Sequence, residues 1–212
     1  MKGKFITFEG GEGAGKSLQI KKFAEYLEKK GIEVVLTREP GGTEVGKEIR
    51  RILVEGDKDK FDEITEILLF YADRRINLEK VVKPALKQGK YVICDRYNDS
   101  TVAYQFYGAN KFKDTTIIDT IYKVVAGDFK PDVTVLLDVD VKVGLERSFK
   151  KAEGMDVKEL RFENAKVDFH QRLRSGYLEM AKNEPERFVV VNANNGVDEV
   201  FEELIRKVEP RI

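Results

Sequence analysis

A single cysteine stands among 212 residues, which excludes an internal disulfide. Its place in the apolar run Tyr91–Cys94 marks Cys94 as core rather than nucleophile. With no disulfide to protect, the reducing cytoplasm is the expected compartment. Charge of one sign is missing too, because 38 acidic residues balance 38 basic ones. No global field therefore recruits nucleic acid or an anionic membrane, and any anion site has to be built locally. No apolar run approaches the roughly 20 residues of a membrane span, and the chain is expected to run from its amino terminus straight into a strand with no leader. The sole histidine, His170, has no acidic or cysteine partner nearby in sequence and reads as structural. Repeats, low-complexity tracts and linkers are also lacking. At 42% hydrophobic, residues 1–212 are expected to fold as one domain around one core, with a small lid.

What is present is concentrated near the amino terminus. Residues 5–17, FITFEGGEGAGKS, read as an apolar strand, a glycine-rich turn and the start of a helix. Gly10, Gly15, Lys16 and Ser17 fit the phosphate-loop pattern G-x-x-x-x-G-K-[ST], placed between strand and helix where the mechanism needs it. The glycines allow a tight turn that points successive N–H groups at one anion, and the helix presents its positive dipole end to the same place. The loop Gly10, Gly11, Glu12, Gly13, Ala14, Gly15, Lys16 and Ser17 is thus a candidate ATP or GTP site. Lys16 would neutralise the terminal phosphates, and the Ser17 hydroxyl would ligate Mg²⁺.

Strand-length apolar runs at Lys4–Glu9, Glu33–Thr37, Tyr91–Asp95, Val133–Asp138 and Arg187–Asn192 alternate with longer segments of helical period. Such alternation predicts a buried parallel sheet with helices on both faces. The first helix carries Leu18, Ile20, Phe23, Ala24 and Leu27 at helical spacing, with Gly31 as its cap, and Gly89 does the same before the third strand. In open α/β sheets ligands collect at the carboxyl ends of the strands. Those ends carry the phosphate loop, then Glu39, then Asp95 and Arg96, and several charged groups on one rim favour function over mere solubility.

Residues 63–86 read as one or two helices with an apolar stripe of Leu68, Leu69, Ala72, Ile76 and Leu78. Phe70 and Arg74 share a face, where a base could stack on the ring and a phosphate meet the guanidinium. The alternative is a core phenylalanine beside a solvated charge. Thr101, Tyr104 and Gln105 fall at helical spacing, and Gln105 offers the donor and acceptor that suit a base edge. Segment 143–182 is the most charged, with Arg147, Lys150 and Lys151 on a helix that ends near Glu153 and with Arg161 after it. It reads as a solvated helical pair or as a basic flap that closes on a migrating phosphoryl group.

Taken in order, the phosphate loop, TREPGGT at 37–43, LFYADR at 69–74, CDRY at 94–97, STVAYQ at 100–105 and PDVT at 131–134 make the chain resemble the thymidylate kinase family, bacterial type. The resemblance covers nearly the whole chain. It implies a P-loop nucleoside monophosphate kinase fold, a five-stranded parallel sheet in the order 2-3-1-4-5, a homodimer packed through helices, and Mg²⁺-dependent transfer of the ATP γ-phosphoryl to dTMP. It also implies roles. Phe70 would stack on thymine, Arg74, Gln105 and Thr101 would contact the base, and Tyr104 would crowd the sugar 2′ position. Glu12 would approach the 3′-hydroxyl, while Arg50, Arg96 and Glu39 would surround the acceptor phosphate. Lys16, Arg96, Asp95 and Glu39 would act at the reacting phosphates. Where some relatives carry a loop arginine this chain has Gly13, so the extra cations would be Arg147 and Arg161, from a lid within about 147–163. Leu18, Phe106, Leu160 and Asn192–Asn194 depart from the usual pattern.

Three rivals remain, the simplest being a P-loop scaffold without activity, which would bind ATP and form no ADP with any nucleotide. A kinase for UMP, CMP or GMP shares the loop and the Asp-Arg pair, and Phe70, Tyr104 and Gln105 discriminate against it. A regulatory GTPase needs an Asn-Lys-x-Asp motif, and Asn110–Asp114 places its acid one residue too late.

Overall fold

The structure, a computed structural model, describes residues 2–55, 60–153 and 165–212. Five parallel strands, β1 (Phe5–Glu9), β2 (Val34–Arg38), β3 (Tyr91–Asp95), β4 (Val133–Asp138) and β5 (Phe188–Asn192), lie in the order β2-β3-β1-β4-β5. This is the order the resemblance implied, and each strand falls within a residue of its expected place. The central strand β1 is wholly buried, as a strand covered by helices on both faces must be.

Alternate residues feed two cores. On one face Ile6, Phe8, Ile93, Val135 and Leu137 pack with Phe23 and Leu27 of α1 (Lys16–Lys29) and Leu204 of α9 (Val197–Val208). On the other, Phe5, Val92, Cys94 and Tyr97 pack beneath Leu78 and Val82, and Leu136 packs with Leu173 and Tyr177 of α8 (Val167–Asn183). Cys94 is fully buried, and burial pushes its thiol well above the ordinary range. Gly31 closes α1 at φ 78°, and Gly89 turns at φ 79° before β3, conformations open to glycine at little cost.

The stripe expected on α3 (Glu63–Asn77) is not the buried one. Leu68 is 51% exposed and Ala72 also faces outward. The helix instead buries Ile67, Tyr71, Asp73, Arg74 and Asn77. Its inward face is polar because it walls a site, and each inward charge meets a partner there. On α1, likewise, Leu18 is 47% exposed while Ile20, Phe23, Ala24 and Leu27 are buried.

The chain from α3 runs through a π-helical turn, Leu78–Val82, into α4 (Lys83–Lys87). Pro84 lacks an N–H and its ring crowds the carbonyl four residues back, so a widened turn relieves both faults. A second π-helical stretch, Val102–Gly108, follows the short α5 (Asn98–Thr101). It packs on α8, where a Cβ at Gly108 would lie 2.6 Å from the Phe169 ring and one at Gly176 would lie 2.3 Å from the Tyr107 ring. The remaining described helices are α2 (Glu44–Val54), α6 (Thr116–Ala126) and α7 (Val141–Ala152).

Beneath the site, Arg187 joins α5 to the sheet. Its guanidinium donates to Asp99 at 2.6 and 2.9 Å, to Thr134 at 2.7 Å and to Glu184 at 2.8 and 3.0 Å. Removing one member of such a buried pair strands the other. Arg187→Met should therefore lower unfolding free energy by ~3 kcal/mol, read from urea titrations followed by circular dichroism.

Candidate active site

The sheet twists its strand ends apart at one rim, and β1 enters a loop there that only glycine could build. Gly10, Gly13 and Gly15 have φ of 139°, 65° and 85°. A Cβ at Gly13 would lie 1.9 Å from the Gly144 carbonyl oxygen of α7, and one at Gly10 would lie 2.5 Å from the Leu137 carbonyl oxygen. The loop is thus pressed on β4 and α7, and α1 starts from it at Lys16 with no side-chain cap on its first N–H groups. Those free donors and the helix dipole make an anion cradle. Lys16 folds back over the loop, Nζ donating to the carbonyls of Gly10 at 2.9 Å and Gly11 at 3.0 Å. Burial chiefly, with Arg96 adding repulsion, brings its amine down to about 8. Ser17 Oγ sits 3.4 Å from Asp95 Oδ2, and Asp95 Oδ1 is buried without a hydrogen-bond partner among the described residues.

Beside the loop opens a cleft of about 690 Å³. Glu12, Glu39, Arg50, Phe70, Arg74, Arg96, Thr101, Tyr104 and Gln105, all singled out from sequence, line it together. Arg96 stands at the join, with φ of 70°, a region rarely visited by a non-glycine residue. Its guanidinium donates to the Gly10 carbonyl at 3.1 Å, Ser100 Oγ at 3.0 Å, Tyr177 at 3.3 Å and Tyr104 at 2.8 Å. It also lies 3.5 Å from Glu12.

Glu12 reaches from the loop into the cleft, where the Tyr104 hydroxyl donates to it. Burial alone would raise its carboxyl, but His170, Arg96, Lys16 and Tyr104 together hold it down at about 2. It is a carboxylate at every working pH. On the opposite wall Arg74 donates to Glu39 at 2.8 Å and to Thr101 at 3.1 Å, lying over the rings of Tyr71 and Tyr97. Asn77 donates to the other Glu39 oxygen at 2.9 Å. Burial still pushes Glu39 up to about 7. Arg50 donates to the Pro40 carbonyl at 3.2 Å, and Gln105 donates to Glu66 at 3.2 Å.

Arg147 lies apart from this group. Its guanidinium holds the carbonyls of Ala193 at 2.7 Å and Asn194 at 3.2 Å, beyond the end of β5. Arg161 and Leu160 lie outside the described residues. Of the other departures, Phe106 packs with Ile67 and Tyr71, and Asn194 bonds the Asp140 N–H at 3.0 Å.

Three groups at the site went unread in the sequence. His170, read as structural, is buried with Nδ1 3.5 Å from Glu12. Tyr177 joins Arg96 and Glu9. Glu9 ends β1, fully buried, and accepts from the Tyr97 N–H at 2.7 Å, Ser100 at 2.5 Å and Tyr177 at 3.2 Å. The signal was available for two of them: His170, Arg174 and Tyr177 are spaced four and three apart, one face of α8.

A glycine loop shaped for a polyanion, joined to a neighbouring cleft by one arginine, is the arrangement of a P-loop nucleoside monophosphate kinase. The thymidylate kinase family model matches residues 8–204, and the chain belongs to that family. It is 44% identical to the thymidylate kinase of Pelobacter propionicus over 97% of this chain and 94% of that one. It is also 44% identical to the thymidylate kinase of Magnetococcus marinus over 100% and 98%. The crystal structure of thymidylate kinase from Ehrlichia chaffeensis superposes with a TM-score of 0.78 at 36% identity, covering 99% of this chain and 100% of that one.

Burial, with Asp99 adding repulsion, pushes Glu9 up to about 7, above the ordinary 4.5. A carboxyl raised on folding binds its proton more tightly in the native state, so the stability it confers is full below about 4.5 and lost as pH rises to about 7. Glu9→Gln, which keeps the shape and cannot ionise, should flatten that slope in Tm measured between pH 4.5 and 7.

Proposed function

We propose that this chain transfers the γ-phosphoryl group of ATP to dTMP, releasing dTDP and ADP. One observation carries the reading: a nucleotide-sized cleft adjoins the phosphate loop through a shared arginine, Arg96, which hydrogen-bonds the Gly10 carbonyl on one side and Tyr104 on the other. Two polyanions meeting end to end repel, so alignment and cations are what the protein must supply. An acceptor phosphate oxygen attacks the γ-phosphorus, the bond to the bridging β-oxygen breaks, and ADP leaves with the electron pair. No strong base is required, because the acceptor is already an anion.

In this reading Lys16 exchanges its two loop carbonyls for the ATP phosphates, and their negative charge restores the proton affinity that burial removes. Arg96 and Arg50 hold the acceptor phosphate. Phe70 stacks on thymine, with Arg74, Thr101 and Gln105 toward its edge, and the Tyr104 ring leaves no room for a ribose 2′-hydroxyl. Glu12 meets the 3′-hydroxyl. Arg74 reaches its place already fixed by Glu39, which limits the entropy lost on binding.

Mg²⁺ suits the residues present. The Ser17 hydroxyl and the unpartnered Asp95 Oδ1 are hard oxygen donors beside the cradle, and Mg²⁺ typically takes one or two such groups plus waters and substrate phosphates. When bound it would supply positive charge that offsets the anionic phosphates of the reacting nucleotide. Arg147, and Arg161 beyond the described residues, are the lid cations of this reading, within about 147–163 of a single domain. A cytoplasmic location accords with the buried thiol and with the lack, among described residues, of a helix long and apolar enough to cross a membrane.

A homodimer is supported by apolar side chains left outside: Leu68 on α3 is 51% exposed and Val124 on α6 is 80% exposed. The two helices pack side by side.

Lys16→Ala should lower kcat with dTMP by three powers of ten or more, about 4 kcal/mol of lost transition-state stabilisation. An ADP-release assay over dTMP, UMP, CMP and GMP checks the acceptor, and turnover of UMP equal to that of dTMP would reject the thymidylate assignment. Sedimentation equilibrium should give twice 24.3 kDa for the wild type and about one chain for Leu68→Glu.

A further inference from the structure

The one histidine of the chain has no role in the reading above, yet it touches the loop carboxylate that faces the acceptor. His170 is 3% exposed, and its Nδ1 lies 3.5 Å from Glu12 Oε2. Among the described residues that oxygen is buried with no hydrogen-bond partner, while the other, Oε1, takes the Tyr104 hydroxyl. A buried carboxylate oxygen left unmatched is costly, and His170 is the polar group that stands over it. Among the described residues Nε2 is also buried without a partner, so they give the imidazole no competing use.

The histidine cannot swing away. It sits on the first turn of α8, and the face it shares is pinned at each following turn. Arg174 grips Asp138 at 2.7 and 2.9 Å and Asp140 at 2.6 Å, and Tyr177 bonds Glu9. Beside it, Phe169 seals against Gly108 and lies edge-on to Tyr104 at 6.0 Å. The helix thus holds the imidazole at a fixed distance from the loop.

We propose that His170 is a positioning residue: its Nδ1–H anchors Glu12 Oε2 from behind, so that the carboxylate stays turned into the cleft and reads the hydroxyl on the 3′ carbon of the acceptor sugar. The consequence for specificity rests on the assignment of Glu12 under Proposed function. The anchor itself does not. Without it, Glu12 is free to rotate toward Arg96 or Lys16, and the enzyme loses preference for a 3′-hydroxyl rather than the ability to transfer phosphate.

Two measurements test this. With a single histidine, the ¹⁵N spectrum of the side chain is unambiguous, and the proton sits on the nitrogen whose hydrogen bond holds it. It should report Nδ1–H in the wild type and revert to Nε2–H in Glu12→Leu. An imidazole spectrum indifferent to that substitution overturns the anchor. Kinetically, His170→Leu should raise KM for dTMP about tenfold, in keeping with a lost bond to a charged group. It should leave KM for 3′-deoxythymidine monophosphate and for ATP within about twofold, and His170→Asn, which places an amide N–H near the Nδ1 position, should restore most of the loss. Equal losses on both nucleotides, or an Asn variant as poor as Leu, overturn the positioning role. A wild type that takes both nucleotides equally would instead overturn the assignment of Glu12 to the 3′-hydroxyl, and the imidazole spectrum would then decide the anchor alone.

Discussion

The site depends on one guanidinium shared between the phosphate loop and the neighbouring cleft. Arg96 leaves β3 in a left-handed conformation that costs an ordinary residue about 1 kcal/mol or more. That turn aims the side chain back across the sheet, between the phosphate loop and the acceptor cleft. Five oxygens surround it: the Gly10 carbonyl, Ser100, Tyr104, Tyr177 and, at longer range, Glu12. They hold the charge in place before any ligand arrives. Pre-organisation of this kind is where enzymes gain most, because the reorganisation energy is spent in folding and not in each turnover.

The same site forces unusual choices on the fold. Strands that end in Glu9 and a loop that carries Glu39 bring carboxyls into a dry interior, where burial pushes both up to about 7. Each is enclosed by donors, with Ser100, Tyr177 and the Tyr97 N–H around Glu9, and Arg74 and Asn77 around Glu39. Such networks are weak as sources of stability, since an apolar core would serve as well. Their value lies in fixing geometry. The Glu9 cluster locks α5 and α8 to the end of β1, and the Glu39 cluster locks the loop after β2 to α3. Each wall of the cleft is therefore braced against the one sheet, and Arg74 ties the two together through Thr101.

This division explains what could be read from the chain alone. The strands were legible because β1, β3 and β4 are apolar on both faces and end abruptly in charge, and the phosphate loop was legible because its glycines and lysine are spaced by the anion they hold. The cleft residues came through a family likeness, since Phe70, Thr101 and Gln105 at helical spacing are equally good as core. The buried face of α3 was misread because amphipathic reasoning assigns apolar residues inward. There the inward face carries Asp73, Arg74 and Asn77, and Leu68 is left outside. The place of His170 beside Glu12 was illegible for a related reason. Its carboxylate partner is 158 positions away in the chain, and no local pattern announces a contact made only when α8 folds back over the loop.

The contact between Gly13 and Gly144 carries a further consequence for the chemistry. A Cβ at Gly13 would sit 1.9 Å from the Gly144 carbonyl oxygen, and a Cβ at Gly144 would sit 2.4 Å from that of Glu12. Two backbones touch here, so neither position accepts a side chain without moving α7 off the loop. An arginine at position 13 is sterically excluded, and in the proposed reaction positive charge beyond Lys16 would approach from another element. The carbonyls that Arg147 now holds, on Ala193 and Asn194, belong to the turn after β5, next to the strand end that carries Asp138. Close packing of α7 thus fixes where the loop lies and by the same contact keeps any side chain out of position 13.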